Sequence, residues 1–237
     1  MSFKLQYLDK VPQEGNAFSD YGTFSHLLLE NWAKGKLPSI ALAEKYEDDY
    51  DQAVSHSFPP FPRGMAQKYY DAGLEYFQSF DGFGDSFEIL SVEKKFQIDI
   101  GGYPFVGIAD LILRDKETGE IVVIDHKSKS MASMKKEITT YRRQLYTYAA
   151  HVKEAYGVYP SKLIFNMFKE GTTIEEVFSM DFFNDTMQWI ISSIENILFE
   201  TEWRVCTSSY FCRYVCSVLD YCPAREAVLY PPKKGSE

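Results

Sequence analysis

The chain has 237 residues, of which 45% are hydrophobic and 16% aromatic, so it can bury one substantial core. Its formal net charge of −9 does not suggest a general nucleic-acid binder, although a local basic groove stays compatible with it. The chain starts without a signal-type apolar segment and has no run near the roughly 20 apolar residues that span a bilayer. We therefore expect a cytoplasmic protein with a single domain.

The first part of the chain predicts helices. Apolar residues recur at helical spacing within 18–38, where Ser19 or Asp20 can cap the start of the helix. The acidic segment 44–51 predicts a solvated face or a loop. After a proline-rich break, residues 65–80 predict a second amphipathic helix.

The middle of the chain predicts a sheet. Residues 87–100 alternate as strands do, and residues 105–114 predict another strand. The short apolar run 121–127 is typical of a strand in the middle of a covered sheet. A long helix, two strands and a last helix follow, at 133–157, 161–168, 173–180 and 181–200. The order predicts an α/β fold with a mixed central β-sheet flanked by helices, in which 1–85 is a helical part, 86–180 the sheet core and 181–237 a helix with a cysteine-bearing tail.

Two aspartates end neighbouring apolar stretches. Asp110 ends "VGIAD" and Asp125 ends "IVVID", and only a turn-length segment separates the two strands, so we expect a hairpin that brings the carboxylates together. Two close carboxylates repel unless a cation neutralises them, and oxygen-rich sites suit Mg²⁺ or Mn²⁺. Lys127 points to the same face as Asp125, where it can orient a water or stabilise phosphate charge. A purely structural Asp125–Lys127 ion pair is the alternative.

Asp110 followed by Asp125-His126-Lys127 resembles the signature of the PD-(D/E)XK nuclease superfamily. Downstream, "YRRQLYTYA" resembles the Q-x-x-x-Y helix motif of its RecB-like branch, with Gln144 and Tyr148 one helical turn apart.

Upstream, "GTFSHLLLE" resembles the G-x-x-x-H-x-x-x-E helix motif of the same branch, with His26 and Glu30. The motifs stand in the family's order over about residues 20–150. The chain departs from the family at His126, where an aromatic or aliphatic residue is usual, and in the "KSKS" segment, where a Thr-Gly pair is common.

The resemblance implies a restriction-endonuclease-like core and metal-dependent hydrolysis of DNA. His26, Asp110 and Asp125 would hold Mg²⁺ or Mn²⁺ with the backbone carbonyl of His126, and Lys127 would position the attacking water or stabilise the transition state. The last two implied catalytic residues, which would orient that lysine, are Gln144 and Tyr148. The family suggests an exonuclease on single strands or DNA ends, in recombination, repair, phage DNA processing or CRISPR adaptation, in a bacterial cell or a phage-infected host, with any helicase partner a separate protein.

Two further observations bear on this interpretation. Between 126 and 143 the chain has six lysines and arginines and one acid, so the stretch is locally cationic and suited to phosphate contacts. Glu93 can face the site from a neighbouring strand, but an exposed strand residue is the expected reading. Two other functions stay open: a non-catalytic DNA-binding or assembly subunit, and a metal-stapled interaction protein.

All four cysteines lie near the end of the sequence: Cys206, Cys212, Cys216 and Cys222. Such clustering more often marks a metal or cluster site than disulfides in a reducing compartment. The last three resemble the C-terminal cysteines of iron–sulfur RecB-like nucleases of the AddB and CRISPR-adaptation types, whose fourth cysteine lies upstream. Here Cys206 would have to replace it. We expect a [4Fe–4S] cluster that staples the tail, with Zn²⁺ or free cysteines as alternatives.

Overall fold

The computed structural model describes residues 1–206 and 208–230, which form a five-stranded mixed β-sheet with helices against both faces. The strands are β1 (Phe87–Ile100), β2 (Tyr103–Asp115), β3 (Ile121–His126), β4 (Lys162–Met167) and β5 (Thr172–Val177). The α-helices are α1 (Ala17–Ala33), α2 (Leu42–Ala53), α3 (Met65–Ser79), α4 (Met131–Lys136), α5 (Ile138–Tyr156), α6 (Met180–Phe199), α7 (Ser209–Tyr214) and α8 (Arg225–Leu229). The predicted fold class is confirmed.

The sheet order follows the chain from β1 to β5. Every neighbouring pair is antiparallel except β3 and β4, which are parallel and are joined through α4 and α5. All six residues of β3 are buried, as the apolar run predicted for a central strand. Because β2 and β3 form the predicted hairpin, the end of β3 lies beside the middle of β2.

Side-chain alternation sends each central strand into two cores. Ile112 and Val123 pack with residues of α5 and α6 on one face of the sheet. Leu111 and Ile124 pack toward Trp32 of α1 on the other face. The helices α1 to α3 add an aromatic cluster of their own. The central strand ends are thereby held between helices on both sides.

The acidic segment 44–51 lies within helix α2 with most of its acidic side chains exposed, so the predicted solvated face is confirmed and the alternative of a loop is wrong. Tyr46 and Tyr50 stand one turn apart and are buried against α1 and α3, while the acidic side chains occupy the outer face. The two buried tyrosines therefore give this highly charged helix an apolar face that packs on its neighbours. The predicted helix 133–157 is interrupted at Glu137, which separates α4 from α5.

The start of α1 is capped by Asn16 rather than by Ser19 or Asp20. The Asn16 side chain accepts from the backbone N–H of Phe18 and of Ser19, while Ser19 accepts from the Asn16 N–H. Asp20 instead accepts from the backbone and ring of His56. Similarly, the side chain of Ser179 caps the start of α6 by accepting from the backbone N–H of Phe182.

The segment before α1 contacts the cysteine-bearing segment. The Glu14 N–H donates to the carbonyl of Ser217 at 2.8 Å, and Asn16 Nδ2 donates to the carbonyl of Val215 at 3.2 Å. The residue that caps α1 is therefore also tied to the last part of the chain.

Among the described residues, no helix is long and apolar enough to cross a bilayer.

Candidate metal centre

The candidate centre lies where β2 and β3 leave their paired region. The register Leu111↔Ile124 places Asp110 and Asp125 one step beyond the last pair of the hairpin. Only 8% of Asp110 and 1% of Asp125 is exposed. Asp110 Oδ2 accepts a hydrogen bond of 2.7 Å from the backbone N–H of His126, which fixes one carboxylate edge. The sequence thus brings two carboxyl groups into the protein interior, where they need compensation.

Three side chains offer ligand atoms that all lie within 4.8 Å of one another: His26, Glu93 and Asp110. His26 Nδ1 lies 3.6 Å from Glu93 Oε1 and 3.7 Å from Asp110 Oδ2. His26 Nε2 lies 3.0 Å from the carbonyl oxygen of His126. One nitrogen and two carboxylates of this kind form a donor set for a hard divalent cation.

Glu93 was underrated by the sequence interpretation, because its side chain is only 24% exposed and belongs to this group. Its φ of +45° is rare for a residue other than glycine. The signal was present in the hairpin register: pairing outward from the Ile100↔Tyr103 turn places Glu93 opposite Asp110. The alternation of residue types in β1 does not by itself show which side chains are buried, because the burial pattern of this strand is irregular.

Asp125 lies beside this group and is not part of it. Its Oδ2 is 2.5 Å from Lys127 Nζ, at angles that are not those of a hydrogen bond, and its Oδ1 has no partner among the described residues. A buried carboxylate oxygen without a donor is costly for the protein alone. A bound cation would supply the missing partner.

Lys127 is held by a short chain of hydrogen bonds from helix α5. Its ammonium donates to Gln144 Oε1 at 2.9 Å, and Gln144 Nε2 donates to the Tyr148 hydroxyl at 2.6 Å. Because the hydroxyl takes the amide NH₂, the amide oxygen faces the lysine. The structure therefore places the side chains of the Q-x-x-x-Y helix against the lysine of the DxK strand.

The electrostatics of the centre favour a cation. Burial raises the pKa of Asp110 to about 7, and the charge of Asp125 adds to this. Burial also raises the pKa of Asp125, although Lys127 opposes it. Burial by itself lowers the pKa of His26, but Glu93 and Asp110 outweigh that effect and raise it above its ordinary value. Three carboxyl groups thus compete for too little positive charge.

The side chain of His126 supplies no ligand atom to this group, but its ring packs edge-on against the His26 ring at a centroid distance of 5.6 Å. It points to the opposite face of β3 from Asp125, where Asn166 Nδ2 is 3.0 Å from its Nδ1 and the ring of Phe83 stacks at 6.1 Å. Burial lowers the pKa of His126 far below its ordinary value, so the ring is neutral. His126, the residue that departs from the family pattern, therefore pairs with the buried Asn166 side chain. Its backbone carbonyl oxygen lies near His26.

The four cysteines are free and lie around helix α7 and the turns after it. Cys212 is buried, Cys206 is exposed, and the other two are half-buried. The Cys212 thiol points toward the Cys206 carbonyl at 3.7 Å. Burial raises its pKa to about 11, and the nearby thiols of Cys206, Cys216 and Cys222 contribute. Thiolates suit an iron–sulfur cluster or Zn²⁺, but among the described residues no three of these thiols lie within 4.8 Å of one another.

Comparison with known proteins gives one family. A family model described as the PD-(D/E)XK nuclease superfamily matches residues 1–223. Among curated proteins, none matches the chain significantly. The solved structures similar to this chain include one described as the crystal structure of SSO0001, with 22% sequence identity, a TM-score of 0.37, and coverage of 77% of this chain and 81% of that chain.

Proposed function

Because the chain belongs to the PD-(D/E)XK nuclease superfamily, we propose that it is a Mg²⁺- or Mn²⁺-dependent DNA nuclease of the RecB-like type. Its finer activity is exonucleolytic, on single strands or DNA ends, in recombination, repair or phage DNA processing. A helicase or recombination protein acts as a separate partner. Nucleases of this superfamily use divalent metal ions, and this chain has a candidate site for one.

One observation carries the proposal: a three-residue donor set lies near Lys127, whose ammonium is held by Gln144 and Tyr148 of helix α5. His26, Glu93 and Asp110 would hold the cation, and Asp125 would offer its unpartnered Oδ1. The His126 carbonyl near His26 is a further oxygen donor. An Asp–Lys pair with a structural role alone does not need a second carboxylate, a histidine and a glutamate gathered around it.

When bound, a divalent cation supplies Lewis-acid polarisation of the scissile phosphate and lowers the pKa of a coordinated water. Asp110 and Glu93 supply the negative charge that retains the cation. Lys127 lies at the edge of this group, where its ammonium can orient the attacking water and stabilise the charge that develops on the phosphate oxygens.

Gln144 and Tyr148 act on the lysine and not on the substrate. The Tyr148 hydroxyl holds the amide in one orientation, and the amide oxygen then holds the ammonium. Burial raises the pKa of Tyr148 far above its ordinary value, so it remains a neutral phenol. A fixed ammonium loses little entropy when the phosphate arrives, which is the benefit of such support.

The cysteines would hold a [4Fe–4S] cluster, with Zn²⁺ as the alternative ligand. Their role is structural: they fix the last segment against the segment before α1 and take no part in hydrolysis. Anaerobic purification tests this directly: brown protein with stoichiometric iron and sulfide supports the cluster, whereas colourless protein with stoichiometric zinc replaces it by the zinc site.

The decisive experiment measures degradation of end-labelled single- and double-stranded DNA with Mn²⁺, for the wild type and for Lys127→Ala. The matched control is Lys162→Ala, an exposed lysine of β4 that pairs with Glu175 at the far side of the sheet. We expect activity in the wild type and the control and at least a hundredfold loss in Lys127→Ala, comparable to removal of one oxyanion donor.

A second matched pair of variants tests the cation site: Glu93→Gln is compared with Glu88→Gln, which lies in the same strand but on its exposed surface.

In the degradation experiment, equal activity of the wild type and Lys127→Ala would refute the nuclease proposal. Tight DNA binding without any cleavage in Mn²⁺ or Mg²⁺ would favour a non-catalytic DNA-binding subunit instead.

A further inference from the structure

The cleft over the metal centre continues into a second cavity. The first cleft has a volume of about 530 Å³ and is lined by His26 and Glu93, together with Phe18 and Ser128. A neighbouring cavity, also of about 530 Å³, is lined by the same Phe18 and Ser128 and extends to helix α7. The two cavities are adjacent, and a chain molecule with one phosphate at the metal centre can extend past Phe18 and Ser128 toward the second.

The walls of the second cavity combine cations with aromatic rings. Three lysines against one glutamate line it, on a chain whose formal net charge is −9. The aromatic side chains come from α1, α3 and α7, and they include Tyr69, Tyr210 and Phe211. We call this cavity the aromatic–lysine groove, defined by Tyr69, Phe211, Lys129, Lys136 and Lys169.

Lys169 shows how the groove is built. Its side chain is only 15% exposed, and its ammonium lies 4.6 Å from the centre of the Tyr69 ring. Its carboxylate neighbour, Glu170, is 3.5 Å away and does not line the cavity. A lysine held in this manner is placed toward the groove and not extended into bulk water.

Two aromatic side chains on α7 remain available. Tyr210 and Phe211 are 46% and 45% exposed, although large apolar groups favour burial. Both belong to the wall of the groove. Aromatic faces beside a cationic track are the arrangement with which proteins hold unpaired nucleotides, because the bases stack on the rings while the phosphates meet the cations.

We propose that the aromatic–lysine groove binds the single-stranded nucleotides that flank the scissile phosphate. This inference rests on the proposed function for its orientation, since the metal centre defines which phosphate is cut. It commits the substrate to an unpaired strand: in a duplex the base faces are stacked on each other and cannot reach Tyr210 or Phe211. The cysteine-bearing segment thereby contributes a wall of the substrate path.

The test measures binding, not cleavage, by fluorescence anisotropy of a labelled oligothymidylate and of a blunt duplex of equal length in EDTA. The first variant is Lys136→Ala with Lys169→Ala. Its control, Lys135→Ala with Lys162→Ala, removes the same charge, and Lys135 is the direct neighbour of Lys136 on α4 but does not line the groove.

We expect the wild type to bind the oligothymidylate more tightly than the duplex. The groove double variant should lose at least tenfold in affinity for the single strand. The slope of log affinity against log salt should fall by about 0.7 for each lysine removed. The control double variant should change by less than twofold.

The second variant is Phe211→Ala, with the equally exposed Tyr221→Ala of the same segment as its control. We expect Phe211→Ala to weaken single-strand binding by about fivefold or more and duplex binding little, because stacking on the ring is lost. Thermal unfolding of each variant shows that the comparison is made between folded proteins.

Two outcomes would overturn the groove: single-strand affinity unchanged in both groove variants, or equal weakening of single strand and duplex by Phe211→Ala. These outcomes are separable from failure of the nuclease proposal. A wild type that cleaves DNA while the groove variants bind normally refutes the groove alone. A wild type without nuclease activity whose groove variants lose single-strand binding leaves the groove in place.

Discussion

The substitution Asp110→Asn should stabilise the metal-free protein at alkaline pH. Asparagine keeps an oxygen that can accept the 2.7 Å hydrogen bond from the His126 N–H, so the local backbone is not disturbed. It removes a carboxylate whose pKa is raised to about 7, first by burial and then by Asp125. The metal-free native protein must ionise this group at pH 8 beside other acids, and the variant does not.

The sign follows from proton linkage. Between about pH 4 and pH 7 the native state retains on Asp110 a proton that the unfolded chain has released, so unfolding free energy falls as pH rises through this interval. His26, whose pKa is raised, acts in the same direction as pH rises through its folded pKa. The wild type without metal should therefore be less stable at pH 8 than at pH 6.

The magnitude can be bounded. A displacement of the Asp110 pKa from 3.8 to about 7 corresponds to at most about 4 kcal/mol. The charges of Asp125, Glu93 and His26 also contribute to this free energy. We therefore expect the single substitution to raise the free energy of unfolding by about 1–2 kcal/mol. For a chain of this size that corresponds to a rise in Tm of about 2–8 °C.

The assay is thermal unfolding in EDTA at pH 6 and pH 8, and at pH 8 with Mn²⁺. Asp110→Asn should melt above the wild type at pH 8, the difference should shrink at pH 6, and Mn²⁺ should stabilise only the wild type strongly. Asp81→Asn, at an exposed position, should follow the wild type throughout. A variant that melts at or below the wild type at pH 8 in EDTA would refute the electrostatic reasoning.

Glu93→Gln should weaken Mn²⁺ binding at least tenfold in titration calorimetry, because a charged oxygen ligand becomes neutral; unchanged affinity would exclude Glu93 as a ligand. Tyr148→Phe should reduce kcat about tenfold without changing Mn²⁺ affinity, since the Gln144 amide loses the hydroxyl that orients it; a wild-type kcat would contradict a positioning role. Gly107→Ala should lower stability by about 1–3 kcal/mol in denaturant unfolding, because its Cβ would lie 2.4 Å from the Phe96 ring; a stability equal to that of the wild type would show that the ring moves freely.

The sheet and most of the candidate centre were predictable from sequence for definite reasons. The run 121–126 has no polar residue before Asp125, which is typical of a central strand covered on both faces. The turn-length segment before it made the hairpin with β2 predictable, and the hairpin brought Asp110 beside Asp125. The one-turn spacing of Gln144 and Tyr148 places them on one face of any helix, whereas their contact with the lysine was implied only by the family resemblance.

The rest depended on tertiary structure. The positive φ of Glu93 changes which way the side chain points, and nothing in the local pattern of β1 announces it. The acidic composition of α2 concealed Tyr46 and Tyr50, whose partners are distant in sequence. The walls of the aromatic–lysine groove come from five separate parts of the chain, so no single segment displays it.

The contact between Asn16 and the Val215 carbonyl joins residues that are 199 positions apart. Helix α1, which carries His26, is therefore anchored at its start by the cysteine-bearing segment. A change that loosens this segment should be transmitted through Asn16 to the start of the helix that carries the histidine.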